Sequence, residues 1–309
     1  IPPIAAVRTV LVCGMGGSGI SGDVVQTVAA VDGVDVRVHK DYGLPAWART
    51  VRPLVIAVSY SGNTAETLSS IEVAIELGLP VAIVTTGGEL TRVAEAERYP
   101  IVAIPDGLQP RAALGYLAGA VLRLAASATP IHAPVPMLME AAERVADLLG
   151  VEHLGEAHVR AREIAARLEG RLPVIWGSVG PTASVAQRWA KQLNENAKLP
   201  AYFSMVPELC HNELVPWAFP LNEFRESTGI VLLRDLGERP EIARRFELMA
   251  DLIGDNASVV GEAWTVGESV LARIATGALL GDLVSVYLAE SAGIDPIPVD
   301  VLTELKNRL

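Results

Sequence analysis

The chain has 309 residues, of which half are hydrophobic and a fifth charged; aromatics make up 5%, and the formal charge is −11. That is the length of about two ordinary domains, with apolar residues enough for sizeable cores, and it excludes a disordered chain. With no long basic run, the acidic balance argues against a nucleic-acid or anionic-membrane partner. A small anionic substrate stays open, because a pocket lined with amides or a local cation can hold one. The two cysteines, Cys13 and Cys210, cannot build a disulfide framework and lack CxxC spacing, which points to a reducing cytoplasm. No apolar run reaches the ~20 uninterrupted residues a bilayer needs. The longest candidates are broken by Arg123, Arg273 and Asp282. Ile1-Pro2-Pro3 shows no signal-peptide pattern, and without a starting Met a short leader is expected to be missing.

The first half alternates β-branched runs with helical patterns. Strands are predicted at 8–13, 35–39, 53–59, 80–85 and 100–104, each closed by a turn signal and most followed by a helix. Such alternation predicts a parallel sheet with helices on both faces. A long helical region at about 137–169, broken at Gly150 and Gly155, reads as a connector. The pattern then restarts, with strands at 172–176, 201–205, 229–233 and 257–262 and helices at 182–197, 240–253, 266–292 and 299–308. The shared strand–turn–helix openings at Arg8 and Leu172 suggest duplication of one α/β domain. The predicted division is 1–134, a connector at 135–170, and 171–309.

Gly14-Met15-Gly16-Gly17-Ser18-Gly19 follows the first strand and opens a helix, satisfying GxGxxG. A dinucleotide site also wants an acidic residue at the end of the second strand, where the chain reads His39-Lys40-Asp41. A plain tight turn and a pocket wall for another ligand, with Ser18 as a hydroxyl donor, are the other readings. Ser59-Tyr60-Ser61-Gly62-Asn63-Thr64 follows the third strand and also opens a helix. Three hydroxyls and free amides at one helix N-terminus make an uncharged anion cradle. The bland alternative is capping, since Asn63 and Glu66 have capping-box spacing.

Arg111 follows Pro110 in what reads as a first helical turn, where a cation opposes the helix dipole. Either an anion lies nearby, or Arg111 is a solvated surface side chain. Glu195 is the mirror case. Its helix has Val185, Trp189 and Leu193 on one face and ends in Asn194-Glu195-Asn196-Ala197-Lys198, placing a carboxylate at the unfavourable pole unless Lys198 neutralises it. His211 lies in Pro207-Glu208-Leu209-Cys210-His211-Asn212-Glu213; adjacent Cys210 and His211 do not form a nucleophile–base pair. Glu152, His153, Glu156 and His158 lack metal-site spacing and read as solvated surface, so no metal is expected.

GMGGSG, SYSGNT, PRAALGYL, NENAK, PELCHNE and the terminal LKNRL occur in this order. Together they resemble the bifunctional phosphoglucose/phosphomannose isomerases, enzymes of the sugar isomerase (SIS) fold, over essentially the whole chain. Glu213-Leu214-Val215-Pro216-Trp217 departs from that family's usual Glu-Leu-Val-Gly-Trp. The resemblance implies an α/β fold of two SIS-type domains, each a parallel sheet flanked by helices. It implies aldose–ketose isomerisation of glucose 6-phosphate and mannose 6-phosphate to fructose 6-phosphate without a cofactor. It assigns Ser59, Ser61 and Thr64 to the phosphate, with Ser18 and Gly19 in the same pocket. Glu195 becomes the base, Arg111 the enediolate's cation, and His211 with Lys306 the ring-opening groups. It further implies a homodimer in which His211 is shared across the interface.

The chemistry fits those residue types. Moving a proton between C1 and C2 needs an acid–base group, and a fixed cation must meet the charge that develops on the enediolate oxygen. Phosphate binding orients the reacting carbons from a distance. A non-catalytic phosphosugar sensor would need the cradle but not Glu195, Arg111 and His211; a nucleotide-binding oxidoreductase would rest on Gly14–Gly19.

Overall fold

Continuous apolar runs without alternation belong to strands covered on both faces, and three segments of the first half behave this way. Thr9–Cys13 (β1), Leu54–Val58 (β3) and Val81–Thr85 (β4) are buried along their whole length. Asp35–His39 (β2) and Ile101–Ala103 (β5) are more exposed and form the edges. A computed structural model describes residues 4–151, 155–218, 226–254 and 259–308. It divides into two compact units, Ile1–Leu138 and Met139–Leu309.

In the first unit all strand pairs are parallel, in the order β2-β1-β3-β4-β5. The helices are Gly16–Val31 (α1), Ala48–Val51 (α2), Ala65–Glu76 (α3), Gly88–Glu97 (α4) and Leu114–Ala128 (α5). Leu11, Val55, Ala57 and Ile83 pack with Ile71, Ala74, Leu90 and Ala94 of α3 and α4. On the other face α1 comes so close that a Cβ on Gly22 would lie 2.9 Å from Val12. The order reverses between β1 and β3: the chain moves outward from β1 to β2, then returns to β3 on β1's other side. A crevice at the carboxyl ends of β1 and β3 is where open α/β sheets bind ligands. Both motif loops emerge there. Burial pushes the Cys13 thiol up to about 12, so it stays protonated at the end of β1.

Pro134–Leu149 (α6) runs across the boundary between the units. The second unit continues with Glu156–Leu168 (α7), Leu172–Ser178 (β6), Pro181–Glu195 (α8), Tyr202–Val206 (β7) and Val215–Ala218 (α9). Thr228–Arg234 (β8), Pro240–Ile253 (α10), Val259–Trp264 (β9), Val270–Ser291 (α11) and Asp300–Arg308 (α12) complete it. Its sheet is parallel in the order β7-β6-β8-β9. The strand expected at 257–262 begins, within the described residues, at Val259; 257 and 258 lie outside them, as does Leu309 of the terminal motif.

One sheet face packs on Phe246, Met249 and Ile253 of α10. α8 packs along α11, where Trp189 Nε1 donates to the Gly277 carbonyl at 2.8 Å and a Cβ on Gly281 would meet the indole at 2.2 Å. Only glycine permits that approach. α11 has 22 residues and is, among the described residues, the one helix long and apolar enough to cross a membrane by length and composition; 56% of its most apolar window is buried inside the fold.

Candidate active site

α1 begins at Gly16, so Ser18 and Gly19 lie in its first turn. Gly14 is required by space, since a Cβ there would sit 2.7 Å from the Val58 carbonyl oxygen at the end of β3. The two loops are stitched together: the Tyr60 amide donates to Ser18 Oγ at 3.3 Å. Ser59 is buried, and its Oγ lies 2.7 Å from Thr64 Oγ1 while accepting from the Gly62 amide at 3.1 Å. Ser61 is exposed, its hydroxyl accepting from the Asn63 amide.

The capping alternative fails here. The N-cap of α3 is Thr64, not Asn63, and its side chain makes no cap hydrogen bond. Asn63 Oδ1 instead accepts from the Glu89 amide at 2.9 Å. Gly62 has φ of +71°, and a Cβ on it would fall 1.8 Å from the Gly87 carbonyl oxygen, so the loop needs glycine twice over. The loop after β4 braces the cradle: the Thr86 amide and hydroxyl both donate to the Tyr60 carbonyl, and the Leu90 amide donates to that of Gly62.

Arg111 sits in a 3₁₀ turn, Pro110–Ala112, ahead of α5. It is 7% exposed, which overturns the solvated-surface reading. Its Nη1 donates to Gln109 Oε1 at 3.3 Å. The turn lies against the glycine loop, since a Cβ on Gly17 would come 3.0 Å from the Pro110 carbonyl oxygen. One strand end thus gathers Ser18, Gly19, Ser59, Ser61, Thr64 and, one turn away, a buried guanidinium. The dinucleotide reading finds no support. The order 2-1-3-4-5 is not that of dinucleotide folds. Lys40, just beyond β2, is ion-paired with Asp23.

In the second unit Glu195 is the last residue of α8 and half-buried. Lys198 Nζ donates to the backbone carbonyls of Glu195 (2.5 Å) and Pro296 (3.3 Å), so it caps the helix end. The face of α8 next to Glu195 is fixed by a polar ladder that periodicity analysis missed. Arg188, 3% exposed, grips Asp282 of α11 through Nε (2.9 Å) and Nη2 (2.6 Å). Gln192 donates to the same carboxylate at 2.8 Å, and Asn196 donates to Ser285 Oγ at 2.9 Å. Positions 188, 192 and 196 are one turn apart, a signal the sequence does carry.

His211 ends a 3₁₀ turn, Glu208–His211, and is exposed, as is Lys306 on α12. The strand end of β8 that corresponds to the cradle holds no hydroxyl cluster among the described residues. Asp235 there pairs with Arg273 at 2.9 Å and accepts from the Thr265 hydroxyl, while Arg234 pairs with Glu238 and Glu262. Of the four residues read as solvated surface, Glu152 and His153 lie outside the described residues. His158 corrects that reading: it is buried on α7, with Nδ1 2.6 Å from the Tyr287 hydroxyl. Among the described residues no three His, Cys, Asp or Glu side chains gather as a metal cluster.

The parallel sheets and their loops define a class first. The family described as the bacterial phospho-glucose isomerase C-terminal SIS domain matches residues 157–309. The fold is also that of a hypothetical protein from Thermus thermophilus (TM-score 0.73, 17% identity, 98% of this chain and 83% of that one). At the level of sequence, the bifunctional phosphoglucose/phosphomannose isomerase of Caldicellulosiruptor bescii is 38% identical over 97% of this chain and 89% of its own. The D-glucosamine-6-phosphate 4-epimerase of Sulfolobus acidocaldarius is 30% identical over 100% of this chain and 91% of its own. The chain belongs to the bifunctional phosphoglucose/phosphomannose isomerase family.

Proposed function

We propose that the chain interconverts glucose 6-phosphate, and mannose 6-phosphate, with fructose 6-phosphate through an enediolate. The observation that carries this reading is the hydroxyl cradle at the β1/β3 crevice with buried Arg111 one turn away, in a chain similar end to end to named isomerases. Ser59, Ser61 and Thr64, with Ser18 and the Gly19 amide, take the phosphate. Glu195 removes the C2 proton of the open-chain aldose and electrons shift onto O1; a proton then passes from O2 to O1, and as the C2 carbonyl forms the same carboxyl returns its proton to C1. Arg111 meets the charge on the enediolate oxygen. His211 and Lys306 move protons during ring opening. Both are exposed in the single chain, as suits groups that meet substrate in an assembly.

The same reading includes two SIS-type domains, at 1–134 and 171–309, and a homodimer sharing His211. It also includes a cytoplasmic setting, where the unpaired cysteines stay reduced. Glucose and mannose 6-phosphates differ at C2 alone, so both reach one enediolate. The test is fructose 6-phosphate formation from each aldose by the purified chain. Product from both supports the proposal. Conversion of glucosamine 6-phosphate at C4, with no fructose 6-phosphate from either aldose, overturns it in favour of the epimerase-like reading.

A further inference from the structure

We infer that Tyr60 is a positioning residue that holds Arg111 in register with the phosphate cradle; the inference rests on the site reading above. Tyr60 lies between two cradle serines yet contributes no side chain to the cradle. Tyr60 is 9% exposed, and its hydroxyl bonds to the segment that leads to Arg111. There the phenol donates to the Pro105 carbonyl at 3.0 Å and accepts from the Leu108 amide at 2.9 Å.

One oxygen therefore closes both ends of the bend Pro105-Asp106-Gly107-Leu108, whose Gly107 has φ of +81°. Residues 105–108 are exposed, and among the described residues these two bonds are the ones that hold them. Three residues beyond Leu108 comes Arg111. The backbone of Tyr60 is meanwhile fixed to the rest of the crevice, its amide to Ser18 Oγ and its carbonyl to Thr86. A single residue thus joins the glycine turn, the cradle and the arginine segment. A cation that stabilises a developing charge acts through its position, and small displacements are costly in rate.

The test compares the wild type with Tyr60→Phe, Arg111→Lys and the double variant. Phe keeps the ring and its packing and removes only the hydroxyl. Expected for Tyr60→Phe is a kcat lower by about tenfold, with the inhibition constant of inorganic phosphate changed less than about twofold, because the cradle's own bonds remain. Within Arg111→Lys the same change should cost little more, since coupled residues are non-additive. A full, independent tenfold loss in that background overturns the inference. So does a wild-type kcat in Tyr60→Phe. Leu108→Pro, which deletes the donating amide and leaves Tyr60 intact, should reproduce the kcat loss, and a folded but fully active Leu108→Pro enzyme also counts against the inference. Should Arg111→Lys itself keep wild-type kcat, or inorganic phosphate fail to compete, the underlying site reading fails with it.

Discussion

Replacing Asp282 by Ala removes the acceptor of the ladder that clamps α8 to α11. Arg188 loses two charge-assisted bonds, at 2.9 and 2.6 Å, and Gln192 loses one at 2.8 Å. Hydrogen bonds to charged groups contribute ~1.5–3 kcal/mol each, and breaking a fully buried pair costs ~3–5 kcal/mol. The Arg188 side chain is 3% exposed but that of Asp282 is 32% exposed, so water screens part of the pair. We therefore expect about 3 kcal/mol, the low end of the buried range. With a urea slope of ~1–3 kcal/mol/M, the midpoint should fall by about 1 M or more. Trp176, Trp189, Trp217 and Trp264 all lie in the second unit, so indole fluorescence in a urea titration chiefly reads its unfolding. The pair Arg188→Met with Asp282→Leu should recover most of the loss, because an apolar pair buries no charge. A midpoint for Asp282→Ala within about 0.2 M of wild type would refute the reasoning.

Changing Ser61 and Thr64 together to Ala should raise KM by about 100-fold with little change in melting temperature, since two bonds to a charged phosphate are lost; an unchanged KM would reduce the cradle to a loop. Mixing inactive Glu195→Gln with inactive His211→Ala chains should restore activity if His211 is shared between subunits. No recovery despite demonstrated subunit exchange would assign both groups to the same chain's site. Glu140 receives the amides of Glu268 (2.6 Å) and Ser269 (3.1 Å) before α11. The Ser269 side chain above all, with those amides and Arg144 adding and partial burial opposing, holds its carboxyl below the usual carboxylate range. A lowered folded pKa gives stability that is complete above the unfolded value, about 4.3, and lost as pH falls through the folded one. The stability gap between wild type and Glu140→Gln should therefore narrow below about pH 4, and a gap independent of pH from 7 to 3 would contradict the lowered carboxyl.

What could be read from the chain alone was local. β1, β3 and β4 announce themselves as uninterrupted apolar runs, and the Ser59, Ser61 and Thr64 hydroxyls point to the proposed phosphate cradle because nothing in capping needs so many. Burial and pairing across the sequence were not legible. For Arg111 the sequence leaves a surface cation and a nearby anion both open until Gly17 lets the Pro110 turn close over the glycine loop. His158 looks solvated until Tyr287, far along the chain, meets its ring. Lys198 reads as a partner for the Glu195 carboxylate, and the structure shows it also holding two backbone carbonyls. The Arg188–Asp282 clamp joins residues 94 apart, and neither helix alone says which partner the other supplies.

The central claim is that Glu195, at the end of α8, moves the C2 proton, and solvent exchange reads that step directly. Glucose 6-phosphate incubated with the enzyme in deuterium oxide should gain deuterium at C2 at a rate comparable to turnover. Glu195→Gln keeps the side chain's shape and removes the base, so phosphate binding should persist while exchange and kcat fall together by about 10²–10⁴-fold. Near wild-type exchange by a folded Glu195→Gln enzyme would contradict the account, because another residue would then be the base.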